Sequence, residues 1–214
     1  MLSGETPARS ATAAIVVERK PSRSKSSRAA RTTSRRRASA CACRRVSTDP
    51  AAIAARSIHA MADGARPDFD VLYHPEAVDQ ENRVQPPSSR VAGPAGFYAT
   101  ALWLRAAFAG LHYDIHHAIA DGDLVVVNST MNGRHVTPWA VYAADGALDT
   151  VFPPTNRAFA MTQSHWFRLA DGRIVEHWAN RDDLGMGRQL GWIPPSPGYL
   201  VRMAMAKRRA ARAA

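Results

Sequence analysis

The chain has 214 residues, 46% of them hydrophobic, which is enough for one domain with a buried core. Its apolar stretches are short and interrupted by charges, which argues against a membrane-spanning helix. The net charge of +10 suggests nucleic-acid binding, but the whole excess lies in residues 1–45. Residues 46–201 carry 11 basic and 16 acidic side chains, a poor surface for phosphate groups. We therefore expect neither nucleic acid nor a membrane as a partner.

Residues 1–45 form a basic tail rich in Ser, Arg and Ala, which we predict to be disordered because it has few apolar residues to bury. Three interpretations are open: a functional basic arm, a targeting segment, or upstream sequence that the cell does not translate. We favour the last, with the native chain beginning at Val46. The tail also holds both cysteines, Cys41 and Cys43, whose spacing suits neither a disulfide nor zinc. A body without cysteine is typical of a reduced, cytoplasmic location.

Two amphipathic helices are predicted in the first half of the body. The first covers 50–62, where Pro50 follows a Ser-Thr-Asp capping cluster and apolar residues recur at helical spacing. A short helix and an extended piece follow. The second long helix is predicted over 94–109 and is ended by Gly110.

From residue 111 the hydrophobic period changes to two, which predicts antiparallel strands. Asp-Gly pairs at 121–122 and 171–172 predict hairpin turns, and a third at 145–146 predicts a small hairpin in an otherwise irregular segment. Residues 198–213 are expected to form a basic helix. Helices followed by a meander of strands indicate the α+β class.

The segment DGRIVEHWANRDDLGMGRQLG at 171–191 resembles the typical ending of the SnoaL-like polyketide (ester) cyclase family. Further matching motifs are PPTNRAF at 153–159, Gly-x-His at 133–135 and YHPEAVDQEN at 73–82. The resemblance covers about 47–193. It implies the cone-shaped fold shared with nuclear transport factor two and the ketosteroid isomerases, a barrel of a curved, mostly antiparallel sheet wrapped on helices around one small-molecule pocket.

We accordingly divide the chain into the tail 1–45, a SnoaL-like domain over 46–195 and a basic extension over 196–214. The resemblance also implies a small-molecule substrate, a homodimer formed through the open face of the sheet, and no metal or organic cofactor. Two departures from the family pattern stand out. Segment 136–152 is longer than usual and is expected to reshape the pocket mouth. Gln80 stands where His is common, which is expected to remove a titratable group from the pocket.

The resemblance implies an intramolecular aldol condensation, in which a carboxylate removes a proton beside a carbonyl and neighbouring donors stabilise the enolate oxygen. Asp182 is the first candidate for that carboxylate, because in a regular strand it shares a face with Trp178 and Asn180. Alternatively, Asp182 only caps the next helix. Asp79 is the second candidate acid, and alternatively it anchors its own loop.

His165 is the third catalytic candidate, as an oxyanion donor beside Gln163 on the same strand face, although both residues also suit core packing. The candidates for substrate binding are His135, Gln163, Trp178, Asn180, His177 and Trp103. Because His177 and Trp178 point to opposite faces of a strand, at most one of them lines the pocket. His135 alternatively ties down the long loop, and Trp103 alternatively only packs.

His112, Asp114 and His116 alternate along one strand, as metal ligands can, but alternate residues lie about 7 Å apart and we disfavour a metal site. The favoured function is an enzyme that cyclises or isomerises a small enolisable, polyketide- or ester-like substrate. The alternative is a non-catalytic small-molecule-binding or dimerisation module of the same fold. A nucleic-acid binder acting through the tail is a third reading, disfavoured by the acidic body.

Overall fold

The structure is a computed structural model that describes residues 49–213. Its helices are α1 (Pro50–Asp63), α2 (Arg66–Leu72), α3 (Pro94–Ala107), α4 (Asp183–Leu190) and α5 (Pro197–Ala213). Its strands are β1 (Tyr73–Asp79), β2 (Phe108–Asp121), β3 (Leu124–His135), β4 (Trp139–Tyr142), β5 (Leu148–Phe152), β6 (Ala158–Ala170) and β7 (Arg173–Arg181). Short 3-10 turns lie at Asn82–Val84 and Pro87–Ser89. The predictions for the tail lie outside the described residues.

Five strands form one sheet in the order β1-β7-β6-β3-β2, with β1 parallel to β7 and the other pairs antiparallel. The prediction of an α+β fold with a curved, mostly antiparallel sheet wrapped on helices is confirmed. Within residues 49–213 strand pairing does not close the sheet, which ends at the edges β1 and β2. Helix α1 contacts β2 and β3, and α3 contacts β1 and β2, so helices cover the side that strand pairing leaves open.

The long helices begin where the sequence predicts. At the start of α1 the Asp49 carboxylate accepts a hydrogen bond from the Ala51 amide at 3.1 Å, and Pro50 occupies the first helical position. Helix α3 stops at Ala107, two residues before the predicted end, because the chain passes directly into β2 at Phe108. Both helices bury one side against the sheet.

The inner face of the sheet follows from the alternation along β6, where every second residue from Phe159 to Leu169 is buried. A register shift between β6 and β7 changes which residues of β7 face the interior. Leu169 pairs with Ile174, but the preceding Arg168 pairs with Glu176, so β7 has one extra residue at this point. The extra residue places His177 opposite the buried Phe167. It therefore decides that His177, and not Trp178, faces the interior.

Segment 136–152 contains the small hairpin that the Asp-Gly pair predicts, with β4 and β5 forming their own two-stranded sheet. Arg90 fixes this hairpin to the body, since its guanidinium donates to the carbonyls of Ala143 at 2.6 Å and Ala144 at 2.7 Å. Trp139 and Phe152 point their rings at a shared aromatic cluster, 6.0 Å apart. The long segment is thus a structured part of the domain.

Helix α5 is anchored near its start. The buried Tyr199 donates its hydroxyl to the Pro153 carbonyl at 3.2 Å, and Arg202 donates to the Pro154 carbonyl at 3.0 Å. The basic residues further along the helix are exposed: Lys207, Arg208, Arg209 and Arg212. In the described part of the chain, no helix is long and apolar enough to cross a membrane.

Gly93 provides a sharp test of how α3 is held against β1. It has φ +78°, its amide donates to the Ala77 carbonyl at 2.8 Å, and a Cβ there would lie 2.1 Å from the Pro75 carbonyl oxygen. We predict that Gly93→Ala lowers the free energy of unfolding by about 3 kcal/mol or more, because both the backbone angles and the contact must change. Gly172→Ala is the matched control, with φ +73° and open space around it, and is expected to lose about 1 kcal/mol. Urea unfolding measures both, and equal losses would contradict the packing assigned to Gly93.

Candidate active site

The inner face of the sheet, with α1, α3 and α4, surrounds a cavity of about 350 Å³. Most of its wall is apolar. The polar lining residues lie toward the start of α3, and the large aromatic ones lie toward its end. Near the start of α3, the Phe97 ring lies 6.1 Å from the His177 ring, and near its end the Trp103 ring lies 5.0 Å from the Trp139 ring. We call the first region the polar end and define it by Asp79, Glu81, Gln85, Gln163, His165, His177, Arg181 and Asp183. The second is the aromatic end, defined by Trp103, Phe108, Trp139, Phe152 and Trp192.

The polar end begins with Asp79, the last residue of β1. Because β1 runs parallel to β7, Asp79 lies directly beside His177, and its Oδ1 accepts a hydrogen bond from His177 Nδ1 at 2.9 Å. The same oxygen accepts from the Glu81 amide at 3.0 Å, and Oδ2 accepts from Gln85 Nε2 at 3.4 Å. Thr100 of α3 in turn donates to the Gln85 side chain. The carboxylate is thus 8% exposed and held from three sides.

His177 connects Asp79 to His165. Its Nε2 lies 2.9 Å from His165 Nδ1, and the two rings stack with centroids 5.2 Å apart. An ionised Asp79 can only accept, so the proton on His177 is at Nδ1. With one proton on each ring, His177 Nε2 is the acceptor and His165 Nδ1 the donor. His165 Nε2 then holds a free lone pair, and this buried atom has no hydrogen-bond partner.

The electrostatics favour the same arrangement. Burial lowers the pKa of His165 well below its usual value, and repulsion from a protonated His177 and from Arg181 would lower it further. Burial alone would raise the pKa of Asp79, but the hydrogen bonds from His177 and the Glu81 amide, together with the attraction of a protonated His177 and of Arg181, outweigh it, so the pKa is lowered. At neutral pH the chain therefore runs from a carboxylate to a neutral imidazole that can accept a proton.

Gln163 supplies the second unpaired group of the polar end. It lies two residues before His165 on the inner face of β6, is 4% exposed, and has an Nε2 with no hydrogen-bond partner. An amide donor beside a proton acceptor is the pair of groups that enolate formation requires. Arg181 lies opposite Gln163 on β7 and forms an ion pair with Glu81 at 2.9 Å. The Glu81 carboxylate thus balances the charge of the Arg181 guanidinium.

The structure brings five of the nine sequence-predicted site residues to the cavity: Asp79, His165, Gln163, His177 and Trp103. Asp182 lies elsewhere. Its exposed carboxylate accepts from the Gly185 amide at 2.8 Å and caps α4, which is the alternative that the sequence left open. Trp178 stacks on Trp166 across the outer face at 6.1 Å, and Asn180 is exposed. The three share one face, as predicted, but it is the face turned away from the cavity.

His135 is fully buried behind the aromatic end and does not line the cavity. Its ring lies 5.3 Å from that of Trp192, nearly perpendicular to it, and 5.7 Å from that of Phe108. Burial lowers its pKa to about 4, so the imidazole is neutral. Its backbone amide and carbonyl pair with Arg157 and Asn156, which fixes the chain where the long segment departs and returns.

One sequence expectation, for Gln80, is corrected by these positions, and the side chains on β2 that were weighed as metal ligands can also be located. Gln80 is exposed and donates to Glu176 at 3.1 Å, so the residue at this position lies outside the cavity and its identity removes no group from it. The suggested metal ligands on β2 are engaged otherwise: His116 Nε2 lies 2.8 Å from Thr130 Oγ1, and Asp114 accepts from Asn132 at 2.9 Å. Among residues 49–213 no His, Cys, Asp and Glu side chains form a metal-binding group.

Sequence reasoning missed several residues that line the cavity, namely Tyr113, Arg181 and Trp192. Tyr113 and Arg181 lie on inner strand faces, and the alternation of β2 and β7 was the available signal. Trp192 follows the left-handed Gly191 that ends α4, and its amide bonds back to the Gly187 carbonyl at 2.8 Å. Only the closed helix end turns this ring into the cavity wall, so no pattern in the sequence marks it.

The comparisons with known proteins agree in fold and family. The family model described as SnoaL-like polyketide cyclase matches residues 54–190. Aklanonic acid methyl ester cyclase DnrD of Streptomyces peucetius is 32% identical over 143 residues, which are 66% of this chain and 90% of DnrD. DauD of Streptomyces sp. strain C5, of the same name, is 35% identical over 106 residues, 49% of this chain and 60% of DauD.

Solved structures show the same fold. IdmH of Streptomyces antibioticus is 26% identical and has a TM-score of 0.51, covering 67% of this chain and 99% of IdmH. TsrD of Streptomyces laurentii is 24% identical and has a TM-score of 0.53, covering 65% of this chain and 92% of TsrD.

The proton arrangement at the polar end can be measured directly. We predict that ¹⁵N NMR of the imidazoles finds Nδ1 protonated and Nε2 unprotonated in both His165 and His177 at pH 7, and that His165 stays neutral at pH 6. Asp79→Asn should disturb the His177 tautomer, because an amide can donate as well as accept. Asp182→Asn is the control and should leave both signals unchanged. A His165 that carries its proton on Nε2, or titrates near the ordinary value, would contradict the arrangement.

Proposed function

The chain belongs to the SnoaL-like polyketide cyclase family, and we propose that it catalyses the intramolecular ring closure of a polyketide-like ester. The observation that carries this proposal is the Asp79–His177–His165 chain, which ends at an unpaired His165 nitrogen beside the unpaired Gln163 amide in a mostly apolar cavity. A module that only binds ligands has no need of such a chain, since an apolar wall with single donors suffices.

The reaction is an aldol addition within one molecule. His165 Nε2 removes a proton from a carbon next to a carbonyl of the bound substrate, and the Gln163 amide stabilises the negative charge that develops on that carbonyl oxygen. The enolate carbon attacks a second carbonyl carbon of the same molecule and forms the new carbon–carbon bond. The oxygen of the attacked carbonyl takes the proton back from His165. No atom is lost, so the product is an isomer of the substrate.

Asp79 acts through His177 and is therefore a positioning residue. It fixes the proton of His177 on Nδ1, which leaves Nε2 to accept from His165 and keeps the lone pair of His165 on the other nitrogen. When His165 takes up a proton, the negative charge of the Asp79 carboxylate also stabilises the positive charge on the linked imidazoles. The sequence suggested a carboxylate as the base. In this proposal the His165 imidazole is the base instead, and the Asp79 carboxylate determines which ring nitrogen of His165 carries the proton.

Relatives named for aklanonic acid methyl ester make that compound the first substrate to test.

We also propose a homodimer that is formed through the outer face of the sheet and is located in the cytoplasm. The stacked pair Trp166 and Trp178, together with Ile119 at 61% exposure, supports this surface as the contact.

Ring closure of aklanonic acid methyl ester, followed by chromatography, tests the proposal with matched carboxylate variants. We predict that Asp79→Asn lowers kcat about 10²-fold or more with little change in KM, and that His165→Gln lowers it about 10³-fold. Asp182→Asn retains the helix cap and should keep kcat within about twofold of the wild type. Loss of activity in Asp182→Asn but not in Asp79→Asn would reverse the assignment. A wild-type protein that binds the ester without closing it would favour the binding-module alternative.

A further inference from the structure

The aromatic end is built from two parts of the chain that the catalytic proposal does not use. Trp139 belongs to the hairpin β4–β5, and Trp192 follows α4. Their rings stack with centroids 5.3 Å apart and 21° between planes, and Phe152 of the same hairpin stacks on Trp192 at 4.3 Å. Both indoles line the cavity. The hairpin thus supplies two of the aromatic rings, Trp139 and Phe152, that line this end of the cavity.

The indole nitrogens of this wall are unusual. Trp103, in the same cluster, donates its Nε1 hydrogen to the Ala140 carbonyl at 3.0 Å, as buried indoles ordinarily do. Trp139 Nε1 and Trp192 Nε1 are buried and have no hydrogen-bond partner. Phenylalanine would provide the same stacking without an unpaired donor. Packing therefore explains the rings but does not explain the two N–H groups.

The unpaired polar atoms of the described residues are concentrated around this cavity. Eight buried side-chain nitrogen or oxygen atoms lack a partner in residues 49–213. Two belong to Gln163 and His165 at the polar end, and two belong to Trp139 and Trp192 at the aromatic end. The two ring nitrogens of His135 lie behind that end and do not line the cavity. A buried donor without a hydrogen-bond partner costs free energy. Two such donors in the same wall therefore indicate that a bound ligand supplies the missing acceptor.

The chemistry of that ligand group follows from the charges. The charged residues of the lining all belong to the polar end, where Arg181 pairs with Glu81 and lies 3.6 Å from Asp183. The aromatic end offers stacking surfaces and N–H donors, with no cation to pair with a carboxylate or phosphate. It is therefore suited to a neutral, flat group with an oxygen acceptor.

We propose that Trp139 and Trp192 form a second subsite, which binds a planar conjugated ring bearing a carbonyl or hydroxyl oxygen through stacking and indole N–H hydrogen bonds. That this ring is the distal part of the molecule cyclised at His165 rests on the proposed function, but the binding itself does not. The hairpin β4–β5 then helps to determine which ring systems the cavity accepts, because it contributes Trp139 and Phe152.

The test compares two probes that differ in one acceptor: 9-fluorenone, a flat three-ring ketone, and fluorene, the same skeleton with a methylene in place of the carbonyl. Equilibrium dialysis against the full chain measures both affinities. We expect fluorenone to bind more tightly than fluorene. The double variant Trp139→Phe/Trp192→Phe should weaken fluorenone binding about tenfold and fluorene binding by no more than roughly twofold. Trp166→Phe, on the outer face, is the matched control and should change neither.

Circular dichroism establishes that the double variant is folded, and if it is not, each single Trp→Phe variant replaces it with a smaller loss in the same direction. Equal weakening of both probes, unchanged fluorenone binding, or a wild-type protein that does not bind fluorenone would overturn the subsite. His165→Gln separates this inference from the catalytic one, since it should abolish ring closure and leave fluorenone binding unchanged. A wild-type protein without ring closure, whose fluorenone preference still depends on the two indoles, would retain the subsite and reject the proposed reaction.

Discussion

The hydrogen bond between Asp79 and His177 is the interaction on which the site depends. It joins residues that are 98 positions apart, and it exists because β1 runs parallel to β7 and ends beside it. The α3 helix holds the other side of this carboxylate through Thr100 and Gln85, and Gly93 lets α3 approach β1 closely. The fold thus places Asp79, His177 and His165 in one hydrogen-bonded chain at the polar end of the cavity, and the aromatic residues form the wall of its other end.

Much of the fold could be predicted because local signals dominate it. Caps and apolar spacing located α1 and α3, and Asp-Gly pairs located the three hairpins. Within the site, alternation put Gln163 and His165 on one face and separated His177 from Trp178. The sequence could not say which face of β7 is the inner one, because a register shift against β6 sets its phase. For that reason Asp182, correctly grouped with Trp178 and Asn180, was placed on the cavity side.

The remaining differences have a common origin in contacts that are distant in the chain. The pairing of Asp79 with His177 requires the parallel edge strand, and Trp192 reaches the cavity only through the closed end of α4. The long segment was expected to alter the pocket mouth, but its effect is chemical as well as spatial, since it adds Trp139 and Phe152 to the wall. Neither a period nor a motif carries such information, and a structure is needed to see it.

We propose that the neutral imidazole of His165, held by His177 and Asp79, is the base of the reaction. The measurement that tests it most directly is deuterium uptake at the acidic carbon of aklanonic acid methyl ester in D₂O, followed by NMR as a function of pH. If His165 is the base, we expect enzyme-dependent uptake that is lost only when the pH falls below the ordinary imidazole pKa of 6.5, because burial lowers the pKa of His165. His165→Gln should abolish this uptake while Asp182→Asn retains it. Uptake that survives in His165→Gln and is lost in Asp182→Asn would show that Asp182, and not His165, is the base.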